Sequence, residues 1–117
     1  MAAPLDAPFH AQLQALADKY AAGLPLMLDK IAAALAACRA DGATPSAEHL
    51  HVLHELLHGM AGTAGTFGFA LLGQQCRLVE QQLRQVARAA PAWPAAAADL
   101  DKVLRWAATN PRASTYD

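Results

Sequence analysis

Residues 51-HVLHELLHGMAGTAGTFGF-69 read as a helix that runs into a glycine turn. With Leu50 just before it, the apolar row Leu50, Leu53, Leu57, Met60 and Ala64 advances in steps of three and four, the spacing of one buried helix face. At Gly65-Thr66-Phe67-Gly68 that periodicity stops and glycine marks a tight turn. A second row lies beside the first. His51, His54 and His58 stand at i, i+3 and i+7, a single stripe. Each one-residue step rotates a side chain by about 100°, so this stripe sits towards the edge of the apolar seam rather than in the core.

The same periodicity extends in both directions. Downstream, Phe69, Leu72, Cys76, Val79, Leu83 and Val86 form the seam of a next helix. The stretch 91-PAWP-94 breaks the chain, and Leu100, Val103, Leu104 and Ala107 mark a last helix stopped by Asn110-Pro111. Upstream, 40-ADGATPS-46 is the clearest loop, with Thr44 as N-cap and Pro45 at the first helical position. Before it come two further sets, Phe9, Leu13, Leu16, Tyr20 and Leu24, Leu28, Ile31, Leu35, Cys38. Between them Gly23-Leu24-Pro25 predicts a break or kink, because proline removes a backbone donor and clashes with the preceding turn. No strand-like alternation appears. The expected fold is all-α: an antiparallel four-helix bundle with an additional short or kinked N-terminal helical segment. The 117 residues suit one domain, with mobile ends at about 1–6 and 111–117.

Composition agrees with that class and narrows the function. The chain is 55% hydrophobic and rich in alanine, which loses no side-chain entropy in a helix. A formal net charge of −1 with scattered basic residues offers neither a nucleic-acid footprint nor an acidic-membrane patch. No apolar run is expected to approach the roughly 20 residues that span a bilayer, and the N-terminus lacks a basic leader. Two cysteines, Cys38 and Cys76, without a signal peptide read as reduced thiols in a cytoplasmic core.

The segment 54-HELLH-58 fits the HExxH pattern of zinc hydrolases. A catalytic zinc needs three protein ligands and an open position for water. The longer pattern with a third histidine fails, because Ala61 and Ala64 occupy its glycine and histidine places. Glu80 on the next helix leaves a distant-ligand version open, so a zinc-binding bundle stands as the least favoured alternative.

The residues after His58 carry more information. His58, Met60, Gly62-Thr63-Ala64, Gly68, Leu72, Cys76 and Val79-Glu80 fall at the offsets of the histidine-phosphotransfer (HPt) domain of two-component phosphorelays, which this segment resembles. The likeness runs residue by residue through two helices and is general over the first part of the chain. It implies that His58 accepts a phosphoryl group from a receiver-domain aspartate and passes it to another receiver. It also implies that Glu80 hydrogen-bonds Nδ1 of His58, leaving Nε2 as nucleophile, and that Gly62 lowers the surface for the receiver's loops. Gly65, His51, His54, Glu55, Ala61 and Arg77 complete the binding face. One position departs from the pattern: the family often has lysine three residues after the histidine, and here it is Ala61. His54, His51 and Arg77 are the candidates to supply charge there.

The implied partners are receiver domains of a hybrid sensor kinase and of a response regulator, met by a monomer. The receiver brings its own Mg²⁺, so the domain itself needs neither metal nor cofactor. Without a glycine-rich nucleotide-binding segment or an ATP lid, it should carry phosphoryl groups and not hydrolyse ATP. The main alternative is a module that binds receivers or kinases through the same face without being phosphorylated.

Overall fold

The computed structural model describes residues 3–88 and 92–116, with side chains described from residue 7 onward. Four helices account for most of it: α1 (Ala3–Ala40), α2 (Ala47–Thr63), α3 (Ala70–Val86) and α4 (Trp93–Thr109), with a 3₁₀ turn at Ala64–Phe67 between α2 and α3. There is no strand among the described residues. Contacts between neighbours fix the directions. Tyr20 meets Thr63 while Asp41 meets His49, so α1 and α2 are antiparallel. His58 meets Glu80 and Gln82 meets Asp99, and α1 also packs on α4, which closes an up-and-down bundle.

The core is the predicted seam, read off nearly residue by residue. Ile31, Leu35 and Cys38 of α1, Leu53 and Leu57 of α2, Leu72, Cys76, Val79 and Leu83 of α3, and Leu100 and Val103 of α4 are all buried. Non-directional burial of this kind holds helices without specifying their ends; the ends are set by polar contacts. Asp41 Oδ2 accepts from Ser46 N at 2.8 Å and from the His49 ring at 2.7 Å, clasping the α1–α2 loop. Gly42 there has φ 101°, a conformation that favours glycine. At the other end of α2, Gly68 at φ 95° lets the 3₁₀ turn close on Ala64 O and sends the chain back into α3.

Several expectations are corrected. The two N-terminal sets form one helix of 38 residues, and α1 runs through Pro25 without a break. Proline inside a helix costs about 3 kcal/mol; here packing on both sides, by Tyr20 and Leu24 before it and Ile31 and Leu35 after it, outweighs that cost. The N-terminal set is not a buried seam: Phe9 is 58% exposed and Leu16 51%. A 38-residue helix is about 57 Å long and its 17-residue neighbours about 25 Å, so α1 reaches past anything that could cover those side chains. Over Ala7–Ala40 that same helix is long and apolar enough to cross a membrane by length and composition, with a window of mean hydropathy 1.5. The expectation that no apolar run comes near that length therefore fails for α1, whose alanines fill the gaps between larger apolar residues. Core helices of soluble proteins share the property.

The N-cap of α2 is Ser46, which accepts from His49 N at 3.2 Å, and not Thr44. Asp41 draws the loop closed two residues later than Thr44-Pro45 suggests. The break expected at 91-PAWP-94 does fall between α3, ending at Val86, and α4, but Trp93 and Pro94 already belong to α4, and Pro91 lies outside the described residues. Proline in a first turn gives up only an N–H that has no helical partner. The C-terminal residues expected to trail free fold back over 112–116. Trp106 Nε1 donates to Thr115 O at 3.1 Å, Tyr116 sets its ring edge-on to Trp106, and Arg112 covers the Phe69 ring. Of the other end, residues 1–2 lie outside the description, as does Asp117.

Candidate functional site

His58 faces outward from the middle of α2, with its side chain 62% exposed. The rotation that buries Leu53, Leu57 and Met60 leaves positions 54 and 58 at the α2–α3 edge. Opposite them, Glu80 points back from α3 and is the one buried charged residue among the described residues, 4% exposed. Its Oε2 lies 2.7 Å from His58 Nδ1, a charge-assisted distance. A carboxylate can only accept, so Nδ1 carries the proton and the neutral imidazole has its lone pair on Nε2.

Three nitrogens share that oxygen. Arg84 Nη2 donates to Glu80 Oε2 at 3.2 Å, and His54 Nε2 stands 3.2 Å away on the other side. Burial pushes the Glu80 carboxyl up. The His58 hydrogen bond and the charges of His58, His54 and Arg84 outweigh it, and the group is held below the usual carboxylate range. The rings of His54 and His58 lie nearly parallel, 13° apart with centroids at 6.1 Å.

Beside the imidazole lies a shallow cavity of about 200 Å³ lined by Ala61, Gly62, Arg77, Glu80, Gln81 and Arg84. Arg77 is exposed and reaches over the edge to donate to Ala61 O at 3.4 Å. Ala61 itself is buried at 8% exposure, so it shapes the cavity floor more than the surface. Two guanidinium groups and an outward imidazole around a small open hollow suit a compact dianion such as a phosphoryl group.

The remaining sequence candidates separate. Glu55 is exposed and its nearest partner is His54 Nδ1, at 3.7 Å. His51 does not join the His58 cavity; it lines a different groove with Leu50, His54, Leu83 and Arg84. A side chain at Gly59, Gly62 or Gly65 would meet nothing within 4 Å, so close helix approach explains none of the three. That approach falls on Gly73 instead, where a Cβ would sit 3.4 Å from Gly65 N and 3.5 Å from Ala61 O. Gly73 was missed, though a glycine next to seam residue Leu72 in a helix interior is the mark of such a place. Arg84 and Gln81 were also missed as site residues; Arg84 stands one turn after Glu80, the i+4 spacing of a helix ion pair. Among the described residues no group of three or more His, Cys, Asp or Glu is arranged to hold a metal ion, and the two HELLH histidines both turn to Glu80.

No match to the chain was found among curated proteins or among solved structures. The family model for the Hpt domain matches residues 10–108, which takes in about the C-terminal four fifths of α1 and all of α2, α3 and α4 up to Ala108. With that match over most of its length, the chain belongs to the Hpt domain family, the histidine-phosphotransfer domains of phosphorelays.

Proposed function

We propose that the protein is a phosphorelay intermediate in which Nε2 of His58 takes a phosphoryl group from a receiver-domain aspartate and gives it to a second receiver. Hpt domains interact with receiver domains in two-component systems; the assignment of donor and acceptor roles to this chain is the proposal. The observation that carries it is the 2.7 Å bond from His58 Nδ1 to a buried carboxylate, on a side chain otherwise 62% exposed.

The step balances without outside reagents. The Nε2 lone pair attacks phosphorus, the P–O bond to the aspartate breaks, and that carboxylate leaves with its electron pair. His58 loses no proton, so the product ring is a phosphorylated imidazolium. Its positive charge lies against Glu80, which stabilises it in place with no reorganisation. Arg77 and Arg84 border the hollow where the phosphoryl oxygens would lie, and together they offset charge at the position where Ala61 stands for lysine. Because the partner receiver supplies the aspartate and a Mg²⁺, this chain needs only a rigid, correctly protonated imidazole. Hpt domain proteins are typically soluble, and the reading places this one in the cytoplasm as a monomer that meets a hybrid sensor kinase and a response regulator.

The test is to mix the protein with a receiver domain charged by acetyl phosphate and Mg²⁺. Acid-labile, base-stable label should pass to the wild type and be absent from His58→Gln. Label retained by His58→Gln would reject His58 as acceptor. If neither protein is labelled while both bind the receiver, the chain acts by docking alone.

A further inference from the structure

The second histidine of HELLH is accounted for by phosphotransfer; the first is not. His54 has a side chain only 24% exposed, and its Nε2 is buried without a hydrogen bond of good geometry. A buried polar nitrogen left without a partner is destabilising. Yet Glu80 Oε2 is 3.2 Å from it, within ion-pair reach. A protonated Nε2 is attracted to that carboxylate oxygen and an unprotonated one repelled, which favours the proton on Nε2 although the contact falls short of hydrogen-bond alignment. Nδ1, on the open side towards Glu55, is then the atom that gains or loses a proton.

Glu80 therefore stands between two imidazoles, with a single oxygen serving both. Arg84 also reaches that oxygen, but its side chain is 61% exposed and shared with water. His54 is the less mobile of the two anchors, fixed by its place on α2 and stacked against the His58 ring.

We propose that His54 is a positioning residue of the acceptor site: its Nε2–H holds the shared Glu80 oxygen against Nδ1 of His58, and through it sets the tautomer and basicity of the acceptor ring. This rests on His58 being the acceptor. Gain of a proton by His54 adds a cation to the far side of Glu80 and draws the carboxylate's charge away from His58. The pH profile of phosphorylation is then a readout of His54 as well as of the acceptor ring. Among the described residues, the ionisable groups around His54 are His51, Glu55 and His58 on α2 and Glu80 and Arg84 on α3.

Two measurements test this on the intact chain. In the first, ¹⁵N-histidine spectra of the wild type at pH 8 should show a proton on Nε2 of His54; an unprotonated Nε2 there overturns the proposal. In the second, phosphoramidate serves as donor, its P–N bond breaking with release of ammonia as Nε2–P forms. His54→Phe, which keeps a ring but has no donor, should be phosphorylated about tenfold more slowly than wild type, in the range for loss of an orienting partner. His54→Gln, which keeps a donor but cannot titrate, should recover most of the rate and show one ionisation fewer in its pH profile. Equal rates and equal pH profiles for all three proteins overturn the role of His54. His58→Gln is the separate control: label surviving there removes the acceptor reading itself.

Discussion

Across the α2–α3 seam, the buried row Leu53, Leu57, Leu72, Cys76 and Val79 and the polar edge of His54, His58, Glu80 and Arg84 belong to the same two helices but hold them in different ways. The buried row is non-directional. It is sensitive to volume and to the burial of polar atoms, but it makes no directional demand. At the edge, one carboxylate oxygen is hydrogen-bonded to two nitrogens and has a third at 3.2 Å, so direction and protonation state matter more than volume. The row gives the site a rigid floor; the edge presents the imidazole proposed as acceptor.

The comparison predicts opposite patterns of damage. Leu57→Ala should lower unfolding stability by about 2–5 kcal/mol, as cavities in packed cores do, while the folded fraction still accepts phosphate; urea titration and labelling of the same samples separate the two effects. At the edge, Glu80→Gln should slow phosphorylation by about tenfold or more with a smaller loss of stability.

Acid should expose the edge's contribution to stability. The Glu80 carboxyl is held below its ordinary range in the folded protein, so its contribution is complete above the unfolded pKa and is lost as pH falls through the lowered folded value. Asp41 and Asp101 behave the same way. The backbone N–H of Ser46 lowers Asp41, with His49 adding to it, and the Arg39 hydrogen bond lowers Asp101. Urea midpoints should fall from neutral pH towards pH 3, and those of wild type and Glu80→Gln should converge in acid; curves parallel at all pH values would contradict the role of the buried carboxylate.

Within the floor, Cys76 is a chemical reporter. Burial pushes its thiol up to about 12, so a thiol reagent at pH 8 should leave it unmodified until the protein unfolds, in contrast to a free thiol of ordinary reactivity. The smallest effect belongs to the far end of α1. Phe9→Ala with Leu13→Ala should change stability by less than about 0.5 kcal/mol, as exposed substitutions do, since both side chains face solvent.

Much of this was legible in the residues. The three–four periodicity named the four buried faces, and the glycine turn at 65–68 placed α2 against α3. The pairing of His58 with Glu80, which the structure joins, came from the resemblance to histidine-phosphotransfer domains and not from periodicity. What periodicity could not supply was partnership. Phe9, Leu13 and Leu16 repeat as regularly as Ile31 and Leu35, yet they stay exposed, because among the described residues no helix packs along that end of α1 and only the 64–68 turn and Arg112 border it. Pro25 misled for a related reason: the local cost of proline was plain, and the packing that offsets it was not. The second and third partners of Glu80 were hidden because an oxygen shared by His54 and Arg84 is a property of two helices in register, visible only once they are side by side.

The central claim is that Glu80 fixes His58 as an Nδ1–H imidazole whose Nε2 is the acceptor. Its most direct test is ¹⁵N-histidine and ³¹P NMR of the protein before and after phosphorylation by a charged receiver. The account predicts a proton on Nδ1 of His58 in the free protein and phosphorus bonded to Nε2 in the product. Phosphorus on Nδ1, or a proton on Nε2 of His58 in the free protein, would contradict it.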